Sequence, residues 1–181
     1  NAITGKNPAF VIVDSSGKFA YVSNRLDNSV WTYNINPSTG GLASINTAAK
    51  AVETGIGPYS IALSPNGKFA YVTYINSNNV SAFKVNTQSG ELSDIDLPLA
   101  TGVNPYSVTV DPSGKFAYVA NNVSLSTGVN SNDISIYTID PLRGSLKNIV
   151  TRISTQKEPT SIIVDPSGKF AYVANQVSSN I

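Results

Sequence analysis

The sequence predicts an all-β protein, a β-propeller built of four-stranded antiparallel blades, of which about three and a half are present. The first observation is an internal repeat: Gly-Lys-Phe-Ala-Tyr-Val recurs unchanged, beginning at Gly17, Gly67, Gly114 and Gly168. The second is the alternation of apolar and polar residues on both sides of each copy, which is the pattern of strands. A four-strand unit repeated about every fifty residues is typical of propeller blades.

Each repeat carries the same series of elements. A proline precedes an alternating segment that we expect to be the innermost strand, at Phe10–Val13, Ser60–Leu63, Ser107–Val110 and Ser161–Val164. Phe-Ala-Tyr-Val is the expected second strand, and the expected third strands are Ser29–Ile35, Val80–Val85 and Ile134–Ile139. The fourth strand is the least regular, as expected of an outer edge. A Gly-x-Leu sequence follows the third strand at Gly90, Gly144 and, with one residue fewer, Gly41.

Turns with the sequence Asp-Pro-Ser-Gly-Lys, or close variants of it, connect the first two strands. Proline fixes the φ angle that the turn needs, and the side chain of Asp or Asn forms a hydrogen bond with the backbone of a following residue. Glycine supplies the positive φ. Asp14, Asp111 and Asp165 could also be read as a triplicated carboxylate site. Because Ser64 replaces the aspartate in the second repeat, and turn chemistry explains the position, we favour the structural interpretation.

We expect the repeats to form one partial propeller, half of a seven-bladed ring. The expected units are an outer strand of a preceding blade at 1–7, blades at 8–57, 58–104 and 105–158, and a truncated blade at 159–181. Two explanations compete for the open ends. Either a longer parent chain supplies the missing blades, which we favour, or two copies associate, since three and a half blades doubled would give seven.

Composition excludes several classes of function. Charged residues make up 13% of the chain, with 12 basic against 11 acidic, so no net field attracts nucleic acid. Histidine and cysteine are absent, which removes the commonest general base and thiolate metal sites, and we expect no metal or cofactor. No apolar run reaches the roughly 20 residues of a membrane span. Abundant Ser, Thr and Asn favour a secreted or cell-surface protein, with a cytoplasmic location left open.

The repeat motifs resemble those of YVTN-type propellers and of the seven-bladed propeller lactonase family. The resemblance is carried by Pro-Tyr-Ser-Ile-Ala-Leu-Ser-Pro-Asn-Gly-Lys-Phe-Ala-Tyr-Val-Thr at 58–73, Tyr-Val-Ser-Asn at 21–24, and Tyr-Val-Ala-Asn at 118–121 and 172–175. That family includes 6-phosphogluconolactonases, muconate-lactonizing enzymes and surface-layer proteins. Its enzymatic members use His, Arg and Glu near the central channel, and this chain has no histidine at all.

Ligands of propellers usually bind where loops converge around the channel, here the segments before the first strand and the loops between the second and third strands. Arg25 and Asp27 are the candidate catalytic pair, since a guanidinium can hold a carboxylate or phosphate and a carboxylate can orient water. Tyr59 and Tyr106 could stack on a sugar or peptide. The other candidate ligand-binding residues are Asn24, Tyr74, Asn76, Asn104, Asn121, Asn175 and Glu158.

Two classes of function remain open at this point. The first is a non-catalytic binding or surface scaffold, favoured by near-identical repeats and few charges. The alternative is a lactone hydrolase, which the resemblance implies. Expected partners are a protein or a small carbohydrate-like ligand at the channel face, and either a second copy or missing blades at the open ends.

Overall fold

A computed structural model of the chain describes residues 2–45, 52–53, 55–123 and 130–181. Those residues form sixteen strands and no helix, so none of the described segments is a helix able to cross a membrane. In chain order the strands are β1 (Pro8–Val13), β2 (Phe19–Asn24), β3 (Ser29–Ile35), β4 (Leu42–Ser44), β5 (Val52–Glu53), β6 (Pro58–Leu63), β7 (Phe69–Tyr74), β8 (Asn79–Val85), β9 (Leu92–Asp94), β10 (Leu99–Ala100), β11 (Pro105–Val110), β12 (Phe116–Val123), β13 (Asn130–Ile139), β14 (Leu146–Ser154), β15 (Pro159–Val164) and β16 (Ala171–Asn175).

The strands form four antiparallel sheets, which are the blades. Blade 1 has the order β1-β2-β3-β4 with β5 also paired to β3, and blade 2 places β6, β7 and β8 in line with β9 and β10 both paired to β8. Blade 3 is β11-β12-β13-β14, and blade 4 has only β15 and β16. The inner strands β1, β6, β11 and β15 lie next to one another in that order. The all-β propeller predicted from the repeat is therefore confirmed.

The predicted strand bounds need two corrections. The innermost strands begin at the proline itself rather than two residues later, because Pro8 and its equivalents already pair with the end of the second strand. In blade 3 the second and third strands are longer than predicted: β12 ends at Val123 and β13 begins at Asn130, and these two residues pair. Residues 124–129 between them lie outside the described residues.

Apolar side chains between neighbouring blades form the core. One cluster joins Phe19, Tyr21 and Val30 of blade 1 to apolar residues of blade 2 that include Ile61 and Phe83. A second cluster joins blade 2 to blade 3 in the same way. The large residues of Phe-Ala-Tyr-Val face the following blade and the alanine and valine face the preceding one, as the alternation predicts.

A phenylalanine packed on a glycine recurs at each complete interface between blades, and we call it the Phe–Gly contact. Phe19 lies against Gly90 of blade 2, and Phe69 lies against Gly144 of blade 3, so closely that a Cβ on either glycine would lie 2.5 or 2.3 Å from the ring. Both glycines also have positive φ, 74° and 76°. Only glycine meets both demands, because it has no Cβ.

The equivalent glycine of blade 1 is Gly40, not Gly41 as the sequence pattern suggested. The N–H of Gly40 donates to the carbonyl of Asn36, as Gly90 does to Asn86 and Gly144 to Asp140. The first repeat therefore has a full-length Gly-x-Leu sequence, Gly40-Gly41-Leu42, and lacks no residue. Apart from its chain neighbours, no atom of the described residues lies within 4 Å of a Cβ placed on Gly40.

Residues 2–7 contain no strand, but they occupy the place of a segment that ends a blade elsewhere. The hydroxyl of Tyr33 donates to the carbonyl of Ile3 at 2.9 Å, as Tyr137 donates to the carbonyl of Ala100 at 2.7 Å. Ala100 belongs to β10, an outer strand of blade 2. The assignment of residues 1–7 to a preceding blade stays a prediction.

The aspartates of the repeated turn are acceptors for backbone N–H groups. The Asp14 carboxylate accepts from the N–H of Phe19 at 2.8 Å and from the N–H and hydroxyl of Ser16, and Asp111 and Asp165 repeat this arrangement. In blade 2 the Ser64 hydroxyl accepts from the N–H of Phe69 at 3.0 Å. These bonds account for the aspartates by turn chemistry, without a shared carboxylate site.

Hydrogen bonding shifts the titration of these carboxylates. Partial burial acts to raise the pKa of Asp14 and Asp111, but the bonds from the turn serine and from backbone N–H groups outweigh it, so each pKa lies below its ordinary value. For Asp165 the serine hydroxyl is the largest cause of the lowered pKa, followed by the N–H of Phe170. The charged form is therefore the one that the folded turn stabilises.

We expect Gly90→Ala to destabilise the chain more than Gly17→Ala. Both glycines have positive φ, 74° and 70°, but space around Gly17 is open whereas a Cβ at Gly90 would overlap the Phe19 ring. The left-handed conformation costs each variant about 1 kcal/mol, and the overlap should cost Gly90→Ala about 2 kcal/mol more. Urea unfolding measures both; equal losses would show that the Phe–Gly contact is not a constraint on packing.

The unfolding free energy should fall in acid. Because the folded pKa of these aspartates is lowered, their contribution is complete above the ordinary value of 3.8 and is lost as pH falls through the folded pKa. Asp111→Ser, which copies the natural Ser64 turn, should make this acid dependence shallower. Urea unfolding between about pH 7 and pH 2 tests this, and identical pH profiles for the variant and the parent would contradict it.

Candidate functional site

One end of the blades brings together the segments in which a ligand site was predicted. In every blade the start of the first strand pairs with the end of the second, as Pro8 does with Asn24 and Pro105 with Asn121. The segment before the first strand and the turn after the second therefore meet at the same end. We call this end the channel face.

Asparagines connect successive blades at the channel face. In each of the first three blades, an asparagine that follows the second strand, in a turn in blades 1 and 2 and within β13 in blade 3, accepts a hydrogen bond from the backbone N–H of the residue before the next blade's proline. The pairs are Asn28 with Gly57 at 2.9 Å, Asn78 with Asn104 at 2.8 Å and Asn132 with Glu158 at 3.0 Å. All six residues have positive φ, a conformation that glycine and asparagine tolerate best. Sequence reasoning missed this connection between blades, although the recurrence of an asparagine in aligned repeats was a usable signal.

Two residues predicted to bind ligand belong to these connections. Asn104 and Glu158 each donate their backbone N–H to the preceding blade, and the Asn104 side-chain amide donates to the carbonyl of Val123. Glu158 also has a φ of 58°, which is unusual for a residue of its type. Both residues have a structural role at the channel face, and a role in ligand binding stays a prediction for them.

Asn24, Asn121 and Asn175, which hold the same position near the ends of the second strands, are buried and bonded within the chain. Asn24 accepts from the hydroxyl of Thr4 at 2.9 Å. The amide of Asn121 donates to Asp133 and Ser135, and that of Asn175 donates to the carbonyl of Val173 and to Asn180. We leave them out of the candidate site because their side chains do not reach the surface.

Tyr74 and Asn76 have opposite environments. Tyr74 is fully buried in the core between blades 1 and 2. Asn76 is exposed, and its amide lies where a Cβ on Gly57 would be. A role of Tyr74 or Asn76 in ligand binding stays a prediction.

Arg25, Tyr59 and Tyr106 come from the first three blades and lie together at the channel face; we call them the channel-face cluster. The rings of Tyr59 and Tyr106 are tilted by 43° with centroids 4.7 Å apart. Burial raises the pKa of Tyr59 above its ordinary value and Tyr106 raises it further, whereas the positive charge of Arg25 lowers it. Arg25 is therefore close enough to act on the Tyr59 hydroxyl electrostatically.

The Arg25 guanidinium keeps some of its hydrogen-bonding capacity. Among the described residues, its buried Nε has no hydrogen-bond partner, and no ion pair joins the guanidinium to the Asp27 carboxylate. The Asp27 carboxylate instead accepts from the backbone N–H of Lys6. The two residues that the sequence proposed as a catalytic pair thus have different partners, and a guanidinium in this position can bind an anionic group of a ligand.

The arrangement suits a small anionic ligand with an apolar or sugar face. Two adjacent tyrosine rings offer a surface for stacking, and the guanidinium offers directed donors. Among the described residues no group of three or more carboxylates could hold a metal ion.

A cleft of about 720 Å³ lies at the opposite end, between blades 2 and 3. It is lined by charges of both signs, including Lys68, Asp94 and Arg143, and by none of the predicted site residues.

Three comparisons with known proteins agree on the type of propeller. A curated 6-phosphogluconolactonase of Formosa agariphila is 41% identical over 54 residues, which is 30% of this chain and 15% of that protein. The structure of a predicted 6-phosphogluconolactonase of Bacteroides fragilis, 30% identical, matches with a TM-score of 0.74 over 88% of this chain and 42% of that one. One of Bacteroides uniformis matches with a TM-score of 0.82 at 22% identity, covering 94% and 48%.

The chain therefore spans about half the length of these two solved structures, and 15% of the length of the curated relative. The likeness to the Bacteroides uniformis protein shows the fold alone. The sequence profile described as "Lactonase, 7-bladed beta-propeller" matches residues 1–108 and again 99–181, which together cover the whole chain. On that match, this chain belongs to the seven-bladed β-propeller lactonase family.

Proposed function

We propose that the complete protein hydrolyses a phosphorylated sugar lactone and that the channel-face cluster binds this substrate. One observation carries the proposal: in a chain of the lactonase family, the Arg25 guanidinium, whose Nε is buried without a partner among the described residues, acts electrostatically on Tyr59, and the Tyr59 ring contacts that of Tyr106. The substrate class comes from relatives that are named 6-phosphogluconolactonase. The scaffold interpretation, favoured on sequence alone, has no comparable support.

The roles follow from the chemistry of the substrate. A 6-phosphogluconolactone has a dianionic phosphate at one end and the lactone carbonyl in the ring. Arg25 holds the phosphate through charge-assisted hydrogen bonds, and Tyr59 and Tyr106 pack against the sugar ring. Water adds to the carbonyl carbon and the ring C–O bond breaks, which gives a carboxylate, a new hydroxyl group and one proton. We assign substrate binding, not activation of the water, to the described residues.

Arg25→Ala in the complete protein should raise KM for 6-phosphogluconolactone roughly 10- to 100-fold, because charge-assisted bonds to the phosphate are lost. Arg25→Lys should recover part of this loss, since it keeps the charge without the planar fork. Proton release, corrected for spontaneous hydrolysis, measures the rate. Unphosphorylated gluconolactone should show little effect of either substitution.

Arg143→Ala is the matched control, because Arg143 is exposed at the opposite end of blade 3, and its KM should equal that of the parent. Turnover with an unchanged KM in Arg25→Ala would contradict the assignment of phosphate binding to Arg25. If the complete protein turned over neither lactone, the hydrolase proposal itself would fail and the scaffold interpretation would gain support.

A further inference from the structure

The cleft between blades 2 and 3 has the dimensions of a binding site. Its volume of about 720 Å³ falls within the range of roughly 300–1,000 Å³ that is usual for ligand sites. One wall comes from the β6–β7 turn, β8 and β9 of blade 2, and the other from the turn between β13 and β14 of blade 3. Both blades pack against a described blade on each side, so the cleft does not depend on where the sequence begins or ends.

Three basic side chains line this cleft, and none of them forms an ion pair with a described residue. Lys68 belongs to the turn between β6 and β7, where its N–H donates to the Asn66 side chain at 3.0 Å. Lys84 is the cross-strand partner of Phe69, whose ring faces blade 3, so Lys84 lies on the same face. Arg143 belongs to the opposite wall. The two walls thus present positive charge to one space.

The turn that carries Leu142 and Arg143 is held in place by the chain itself. The Asp140 carboxylate accepts from the N–H groups of Leu142 and Arg143, at 2.8 and 3.0 Å. The carbonyl of Gly144 accepts from the Tyr71 hydroxyl of blade 2 at 3.1 Å. This wall of the cleft is therefore organised before a ligand arrives, which lowers the entropic cost of binding.

Apolar residues adjoin the basic ones. Leu142 is 89% exposed at the rim of the cleft, and Ile95 of blade 2 is partly buried in the other wall. A single exposed leucine is ordinary on a protein surface. Beside a cleft with unpaired cations, it offers an apolar side chain of a ligand a contact next to its charged groups.

The blade 2–blade 3 cleft differs from the corresponding interface between blades 1 and 2. Strand register and the position of the turn glycine identify equivalents that are uncharged and polar: Asn34 for Lys84, Gln88 for Leu142 and Ser89 for Arg143. Only Lys68 has a basic equivalent, Lys18, and the acidic Glu91 takes the place of Ser145. Because both interfaces pack in the same way without these side chains, packing does not require them, and a role in binding accounts for them better.

Negative charges lie on the side of the cleft that is nearer to blade 1. Asp94 and Asp96 line the cleft and also a second hollow of about 430 Å³. That hollow includes Phe83, which packs against blade 1. The three cations line only the first cleft. Charges of opposite sign are thus separated around the outer edge of blade 2, which suits an extended ligand more than a compact one.

We propose that this cleft binds an extended acidic segment of a partner protein, with carboxylates on Lys68, Lys84 and Arg143 and an apolar side chain against Leu142. Carboxylates form charge-assisted hydrogen bonds with such cations. Within the described part of the chain β9 pairs only with β8, so its outer edge is free to pair with an extended backbone. The site lies away from the channel-face cluster and is independent of any lactonase activity.

A phage-displayed library of random heptapeptides, selected on the complete protein, supplies the probe. We expect the enriched sequences to be rich in Asp and Glu and to carry a Leu or Ile beside them. Fluorescence anisotropy of the most enriched peptide then gives its Kd. Lys68→Gln, Lys84→Gln and Arg143→Gln should each raise this Kd roughly 10-fold, because a charge-assisted hydrogen bond is lost, and added salt should raise the Kd of the parent.

Lys18→Gln is the matched control, because Lys18 holds the same turn position as Lys68 in the preceding blade but does not line the cleft. Its Kd should equal that of the parent. All four substituted side chains are exposed, so we expect the variants to fold, and circular dichroism verifies this. A selection that enriches no peptide, enriched peptides without carboxylates, or an equal Kd for Lys68→Gln and Lys18→Gln would each overturn the proposal.

Discussion

The packing of the blades depends on one close contact, in which the phenylalanine of one blade lies against a glycine of the next, a residue with no Cβ. At Phe19 and Gly90, and again at Phe69 and Gly144, the ring occupies the volume that any other side chain would fill. This approach sets the distance between neighbouring blades at their outer turns. The alternation of large and small residues along the second strands then closes the remaining space.

These interfaces between blades also determine the geometry of the channel face. Because Asn28, Asn78 and Asn132 each accept a hydrogen bond from the following blade, the segments before the first strands are held in register with their neighbours. Tyr59 and Tyr106 occupy the same position in successive repeats, so this register brings their rings together. The proposed substrate site is a product of blade spacing more than of any single loop.

Much of the fold could be predicted from the sequence, because a repeated motif reports both strands and turns. The third strand at Ser29–Ile35 agrees with the structure at both ends, since alternation and flanking turn residues bound it clearly.

The candidate site was less predictable than the fold. Arg25 and Asp27 are two residues apart in the chain, yet the Asp27 carboxylate bonds to Lys6, because closeness in sequence does not determine where side chains point. Asn24 and Asn121 looked like loop residues but are buried, and that depends on neighbouring segments that no local pattern reveals.

The unchanged hexapeptide of the four repeats has a consequence for how the chain folds. Since every blade offers its follower the same phenylalanine and tyrosine, side-chain chemistry hardly distinguishes a correct neighbour from a blade two places away. The order of the blades must then come from the short connections along the chain, because they give the adjacent blade the highest effective concentration for docking. Slow folding or long-lived mispaired intermediates would thus arise from the same similarity among repeats that makes the fold predictable from the sequence.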